Sequence, residues 1–352
     1  MQYQRFLLKY GISIVLFSAF IMMFVYITDP LQYYREASWY EGKYSDESRY
    51  QMPGLIRQLS FETAIVGTSM TQNFRETHAN EVLDTTTLNL ALSGSSTREH
   101  ALVVNLALEE QNIKHVFWEI NYGALYKEVD EVADDHAPFP YHMYDNQRWN
   151  DVFYLFSLFP LEVLEETIVS NLQGKHAGRD PYELYKFGDD QEPMTLEDVK
   201  DYIEAVPSNE PVEERYTLAH MIDNFETNIE PMIRENEDVH FTFFFAPYSI
   251  PGQVKSFNDN ANFQDRLDFK RWLFKTLSKY EHVSLYDFQA FDEITYDLSN
   301  YMDTSHYFSF VNDELMEYMA SHPPIQSMEE YEEEIRKLED QVMNLTVDQL
   351  RE

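Results

Sequence analysis

The stretch Phe61–Phe74 reads FETAIVGTSMTQNF and decides the fold class. Its segment Thr63–Val66 is short, apolar and rich in β-branched residues, which is typical of a strand buried on both faces of a parallel sheet. Gly67 permits a tight turn, and Ser69 then lies at the carboxyl end of the strand, where open α/β sheets bind their ligands. The plainer alternative is a structural turn whose serine caps the next helix.

Four further segments continue the same strand pattern. They are Thr86–Leu92, His115–Ile120, Val239–Ala246 and Val283–Asp287. Helical patterns lie between them, as in residues 98–111, where apolar residues recur at helical spacing. This alternation predicts a three-layer α/β/α domain with a mainly parallel sheet, which we place at residues 61–322.

Two parts of the chain depart from that alternation. Residues from about 123 to 236 carry no convincing strand pattern and predict a mainly helical insertion. The insertion is either a lid or substrate platform, or a helical elaboration with no role in binding. Residues 323–352 predict an acidic amphipathic helix that docks on its own domain or on a partner, and we favour its own domain. The apolar stripe of this helix is Met328, Tyr331, Ile335, Leu338, Val342 and Leu345.

The N-terminal segment predicts a membrane anchor. Residues 10–28, YGISIVLFSAFIMMFVYIT, carry no charge and are long enough to cross a bilayer. Arg5 and Lys9 precede the segment and Asp29 follows it, so residues 1–9 are expected in the cytoplasm and the remainder outside the cell. A cleaved signal peptide is the alternative, but bulky residues stand where a cleavage site needs small ones. An aromatic connector, residues 29–60, joins the anchor to the domain.

Composition narrows the classes of partner and chemistry. The chain has 62 acidic and 26 basic residues, a formal charge of -36. Such a charge argues against a nucleic-acid partner and against electrostatic adhesion to anionic lipid, since both need clustered Lys and Arg. The sequence contains no cysteine, which excludes disulfides, thiol catalysis and Cys-ligated zinc.

A partner for Ser69 is found late in the chain, where residues 301–310 read YMDTSHYFSF. Asp303 and His306 are three residues apart, a spacing that projects both side chains to one side of a turn. A carboxylate so placed can orient an imidazole and stabilise the imidazolium that forms when the ring takes a proton. Taken alone, the pair could equally be part of a polar loop or a helix cap.

The order of these motifs resembles the SGNH/GDSL hydrolase superfamily. A Gly-x-Ser follows the first strand, Asn-Leu-x-x-x-Gly ending at Gly94 accompanies the second, and Asp-x-x-His follows the last. With an N-terminal anchor, the chain is most similar to the membrane-anchored branch that works beside membrane-bound O-acyltransferases. That branch includes the D-alanyl transfer proteins (DltD) of teichoic acid modification and polysaccharide O-acetylation proteins. The resemblance covers residues 60–125 and 236–320.

The resemblance implies roles for individual residues. Ser69 matches the nucleophile, His306 the general base and Asp303 its orienting carboxylate. The backbone amide of Gly94 matches an oxyanion donor, joined by the Ser69 amide and by the Asn121 side chain. Two blocks depart from the family pattern: the first reads Gly-Thr-Ser-Met instead of Gly-Asp-Ser-Leu, and the third places an Asn before a glycine instead of after it.

The resemblance also implies a function. We expect extracytoplasmic O-acyl transfer or ester hydrolysis on a cell-envelope polysaccharide or teichoic-type polymer, beside a membrane-bound O-acyltransferase. No metal or organic cofactor is implied. Two alternatives stay open: an inactive SGNH scaffold that binds the polymer or the acyltransferase, and a membrane-tethered assembly protein.

Overall fold

A computed structural model describes residues 2–134, 138–174, 180–206, 212–260 and 262–352. The helices are α1 (Gln2–Thr28), α2 (Ser48–Gln58), α3 (Glu76–Leu83), α4 (Thr97–Glu110), α5 (Tyr122–Leu125), α6 (Val152–Leu155), α7 (Leu158–Leu172), α8 (Leu196–Glu204), α9 (Leu218–Asn228), α10 (Glu230–Glu235), α11 (Ile250–Asn260), α12 (Phe263–Leu277), α13 (Asp292–Thr295), α14 (Ser309–Ser321) and α15 (Met328–Met343). The strands are β1 (Thr63–Val66), β2 (Thr87–Asn89), β3 (His115–Glu119), β4 (His240–Phe245) and β5 (Val283–Asp287). Short 3-10 turns lie at Tyr141–Met143, Pro181–Glu183, Glu214–Tyr216, Leu298–Asn300 and Val347–Gln349.

The chain divides into two compact units. The first comprises residues 1–60, 109–111 and 134–184, and the second comprises residues 61–108, 112–133 and 185–352. The predicted helical insertion is therefore shared between the two units. Its described residues form helices and turns, and they contain no strand.

The second unit is built on a five-stranded sheet whose strand pairs are all parallel, in the order β2-β1-β3-β4-β5. All four residues of β1 are buried, as are the last five of β4, because the two faces of a parallel sheet are covered by the helices that connect its strands. Five strands were predicted from the sequence, and all five form. An α/β fold with a parallel sheet is thus confirmed.

The C-terminal helix α15 docks within the second unit, as predicted. Four residues of the predicted apolar stripe are buried, while Met328, the first residue of the helix, and Leu345, two residues beyond its end, are half-buried. The Tyr331 hydroxyl donates a 2.9 Å hydrogen bond to the Asp287 carboxylate at the end of β5. The helix is too short to be stable alone, so this apolar face and its buried hydrogen bond hold it in place.

The first unit contains the apolar helix α1. At 27 residues α1 is about 40 Å long, and it is the one helix of the described residues that is long and apolar enough to cross a membrane. Asp29, directly after the helix, is buried and accepts hydrogen bonds from the amides of Tyr33, Tyr34 and Arg35. Burial raises the pKa of Asp29, and these hydrogen bonds oppose the rise.

Candidate active site

The direction of strand addition reverses at β1, since the chain passes to β2 on one side and returns to β3 on the other. In doubly wound sheets the crevice at such a switch point binds ligands. The turn Gly67–Ser69 follows β1 directly at this point. The next helix, α3, begins only at Glu76 with Arg75 at its N-cap position. Ser69 therefore does not cap that helix.

The structure brings Ser69, His306 and Asp303 together, although the serine and the histidine are 237 residues apart in sequence. The Ser69 Oγ lies 2.9 Å from His306 Nε2, and His306 Nδ1 lies 2.7 Å from Asp303 Oδ2. An imidazole whose Nδ1–H donates to a carboxylate keeps its Nε2 lone pair for the serine proton. The geometry is that of a nucleophile, base and orienting carboxylate, and the catalytic role of the three residues stays a prediction.

The Asp303 carboxylate is held by its own loop. Its Oδ1 accepts hydrogen bonds from the amides of Ser305 and His306, both at 2.8 Å. Burial by itself would raise the pKa of Asp303, but hydrogen bonds from the His306 ring and from these two amides lower the pKa to about 2. The carboxylate is therefore ionised at any pH near neutrality and can orient the imidazole.

The loop that carries the histidine is fastened at both ends and in its middle. Tyr301 and Tyr307 form an antiparallel bridge across its base. The Ser249 hydroxyl donates a 2.8 Å hydrogen bond to the Thr304 carbonyl. A Cβ on Gly252 would lie 2.1 Å from that carbonyl oxygen, so only glycine lets α11 approach the loop this closely. A rigid loop lowers the entropy lost when the imidazole is aligned with the serine.

A buried carboxylate, Glu119, accepts hydrogen bonds from the turn Gly67–Ser69, the serine turn, and holds it in place. Its Oε2 accepts hydrogen bonds from the Thr68 amide at 2.8 Å and the Thr68 hydroxyl at 3.0 Å, and its Oε1 accepts from Asn121 Nδ2 at 2.7 Å. Burial raises the pKa of Glu119 above its ordinary value, and the hydrogen bonds from Asn121 and Thr68 oppose this rise only in part. A Cβ on Gly67 would lie 2.6 Å from Glu119 Oε2, so the glycine makes room for the carboxylate.

The turn that contains Gly94 is hydrogen-bonded to the serine turn through the carbonyl of Gly67. Gly67 O accepts hydrogen bonds from the Leu92 amide at 3.0 Å and from the Ser95 hydroxyl at 3.3 Å. Gly94 has a φ of 58°, in the left-handed region that favours glycine. Among the hydrogen bonds of the described residues, none uses the amide of Ser69 or of Gly94. Both amides are thus unoccupied, as oxyanion donors must be.

The side chain of Asn121, expected as the third oxyanion donor, makes hydrogen bonds to other groups. Its Nδ2 lies within hydrogen-bond distance of Thr68 Oγ1 at 3.1 Å, Glu119 Oε1 at 2.7 Å and the Tyr248 hydroxyl at 2.9 Å. Its Oδ1 accepts from the Ala124 amide at the start of α5. With these contacts the side chain supports the turn from within the protein, and the geometry does not favour it as an oxyanion donor.

A second serine–histidine pair lies nearby and differs in one decisive respect. Ser95 Oγ is 2.8 Å from His100 Nε2, and the Trp118 indole N–H donates to His100 Nδ1 at 3.2 Å. Because Nδ1 of His100 is an acceptor, its Nε2 carries the proton and donates to Ser95. Both members are almost fully buried. This imidazole cannot serve as a base for Ser95, whereas His306 can for Ser69.

Sequence reasoning missed two supports of the site. Glu119 was visible as a lone charge at the end of an apolar strand. Phe187, from the predicted insertion, gave no such signal; its ring packs edge-on against His306 with centroids 5.4 Å apart, and its backbone exchanges two 2.9 Å hydrogen bonds with the Asn73 side chain. Part of the insertion therefore contacts the site. Within the described ranges, no group of three or more His, Asp or Glu side chains could hold a metal ion.

Comparison of the sequence with protein-family models and with curated proteins finds no match. The class of protein is therefore defined by the fold and by the geometry of the site alone. The chain is an α/β protein with a Ser-His-Asp arrangement at the carboxyl edge of a parallel sheet.

Proposed function

We propose that this protein is a membrane-anchored serine enzyme of the SGNH type that transfers or hydrolyses O-acyl groups on a cell-envelope glycopolymer. The observation that carries the proposal is the hydrogen-bonded chain from Ser69 through His306 to Asp303. Serine is a poor nucleophile unless a base takes its proton, and this arrangement supplies the base in the correct tautomer.

In the first half of the reaction, Ser69 Oγ attacks the carbonyl carbon of a donor ester while His306 Nε2 accepts the serine proton. The tetrahedral oxyanion would lie against the free amides of Ser69 and Gly94, each worth about 10²–10³ in rate. Collapse of this intermediate breaks the bond to the donor alcohol, which leaves with the proton from His306. An acyl-serine remains.

In the second half, a hydroxyl of the acceptor attacks the acyl-serine and gives its proton to His306. Collapse returns that proton to Ser69 and releases the new ester. Water in place of the acceptor hydroxyl would give hydrolysis. The His306 side chain is 30% exposed and that of Asp303 is 56% exposed, so the pair stands open to an acceptor as bulky as a polymer.

The strand order supports the finer SGNH assignment. Because parallel crossovers are right-handed, the reversal at β1 would place α3 on the sheet face opposite to α4, α9 and α12. This gives the three-layer arrangement expected of that superfamily. Asn121 and the Gly-Thr-Ser-Met block remain departures from its pattern.

The apolar helix α1 supports a place in the cell membrane. Basic residues precede the apolar segment and Asp29 follows it, so we propose a single-pass anchor with a cytoplasmic N-terminus and an extracytoplasmic catalytic unit. The lipid bilayer is then one partner and a membrane-bound O-acyltransferase, as acyl donor, is another. The charge of -36 would repel a polyanion, which favours an uncharged polysaccharide over a teichoic-type polymer as acceptor.

Labelling with a fluorophosphonate tests the chemistry on the full chain in detergent. We expect Ser69→Ala to abolish labelling and His306→Ala to slow it about 10²–10⁴-fold, the usual contribution of a general base. Ser278→Ala is the matched control and should label like the wild type, since Ser278 is an exposed serine of the same unit whose hydroxyl donates to the Phe274 carbonyl at the end of α12.

A measurement in cells extends this test to the polymer. A strain that carries Ser69→Ala should lose ester-linked acyl groups from its envelope polysaccharide at normal protein level. Unchanged acylation would favour the inactive scaffold.

A further inference from the structure

The first unit exposes a group of large apolar side chains next to α1. Most of the exposed large apolar residues that the described chain has outside α1 belong to this unit. Five of them lie between residues 149 and 158, in α6, directly beside it and at the first residue of α7, and we call them the apolar platform. Its members and their exposed fractions are Trp149 (74%), Val152 (43%), Phe153 (59%), Phe156 (54%) and Leu158 (74%).

The residues of the apolar platform are the outward-facing side chains of a segment whose inner side is packed within the first unit. Between its members, Tyr154 points inward, is 1% exposed and donates a 2.9 Å hydrogen bond to the Asp29 carboxylate. The same carboxylate holds the chain where α1 ends. The exposure of Phe153 and Phe156 therefore belongs to a packed segment, and several large apolar side chains exposed so close together in the chain mark an interaction site.

The platform lies at the level where α1 ends. Trp149 and Val152 line a groove of 540 Å³ together with Met22 and Tyr26 of α1. At a rise of about 1.5 Å per residue, Met22 lies about 9 Å and Tyr26 about 3 Å before the last residue of the helix. The uncharged segment of residues 10–28 is about 28 Å long, close to the thickness of a hydrocarbon core. Whatever contacts Met22 and Tyr26 is then at the boundary between lipid and water.

We propose that the apolar platform inserts into the outer leaflet of the bilayer as an interfacial anchor beside α1, an inference that rests on the proposed membrane span. Two arginines of the groove suit this depth: Arg35 stacks over the Tyr26 ring at 4.7 Å, and Arg148 lies 6.0 Å from the Tyr34 ring centroid. Arginine and aromatic side chains favour the headgroup region, although Asp151, 3.9 Å from Arg148, offsets one of these charges.

The charged residues determine how deeply the platform can insert and which class of lipid it can contact. Glu162 and Glu165 are exposed on α7, beginning one helical turn after Leu158, so insertion must stop there. This matches the shallow insertion of interfacial helices. Since the chain is strongly acidic overall, the contact is made by apolar burial, and zwitterionic lipid is sufficient for it.

The absence of cysteine allows a direct test on the full chain. Single variants Phe153→Cys and Leu158→Cys, each labelled with an environment-sensitive fluorophore, are placed in phosphatidylcholine nanodiscs with or without bromine on the acyl chains. We expect blue-shifted emission that the brominated lipid strongly quenches. Glu165→Cys, an exposed position of the same unit, is the matched control and should stay unquenched. Phe20→Cys, within α1, reports the span itself.

The outcomes separate the two proposals. Quenching at Phe20 but at neither platform position would overturn the interfacial anchor and leave the span intact. No quenching at Phe20 would overturn both. Platform labels whose emission is blue-shifted only in native membranes that contain other proteins, and not in the pure-lipid nanodiscs, would assign the surface to a protein partner and refute the lipid contact.

Discussion

Replacing Glu119 by glutamine keeps the shape of the side chain but changes one acceptor into a donor. The carboxylate accepts from the Thr68 amide, the Thr68 hydroxyl and the Asn121 amide. In either orientation of the new amide, its NH₂ group faces one of these donors. A buried donor left without an acceptor costs about 1–3 kcal/mol, so we expect a loss of about 2 kcal/mol and a Tm lower by about 4–8 °C.

The same change should slow the chemistry. Thr68 directly precedes Ser69, so a shifted Thr68 amide moves the nucleophile relative to His306. A displacement of about 1 Å can lower a rate about 10²-fold. Thermal unfolding of the full chain in detergent measures the first effect, and the rate of fluorophosphonate labelling at a temperature where the variant is folded measures the second.

Asp287→Asn is the control for this experiment. Asp287 is another buried carboxylate of the same unit, and it binds Lys270 and Tyr331 instead of the serine turn. The Asp287→Asn substitution should lower the Tm without slowing the labelling of the folded protein. If Glu119→Gln destabilises the protein and leaves labelling unchanged, Glu119 has only a structural role. If neither quantity changes, the hydrogen bonds assigned to Glu119 are wrong.

Two further predictions concern other parts of the second unit. Gly67→Ala places a Cβ 2.6 Å from Glu119 Oε2, so we expect a loss of about 1–3 kcal/mol in a denaturant titration; wild-type stability would contradict the close approach. Burial, followed by the charges of Asp287 and Glu330, raises the pKa of Glu334 from 4.5 to about 7. Because the fold disfavours the ionised form, stability falls as pH rises from about 4.5 through about 7. Glu334→Gln should therefore raise the Tm at pH 8 and not at pH 4, and an equal shift at both pH values would refute this assignment.

Local patterns were enough to predict most of the elements. The β-branched run Thr63–Val66, the uncharged segment of residues 10–28 and the apolar stripe of α15 each predict an element from neighbouring residues alone. This works because burial on both faces, a membrane core and a helical face each impose a composition or a period on consecutive residues. The order Ser, Gly and Asp-x-x-His along the chain likewise identified the residues that the structure brings together.

Tertiary structure alone decided the supports of the site and the division of the chain. Glu119 lies under the serine turn because parallel pairing sets β3 beside β1, and Phe187 reaches His306 from a segment that carries no strand or motif signal. The grouping of residues 134–184 with α1 and the exposure of the apolar platform were equally invisible in the sequence. An apolar run such as residues 152–159 reads the same whether it faces a core, a lipid or a partner. Its surroundings are set by contacts between segments far apart in sequence, which no local pattern encodes.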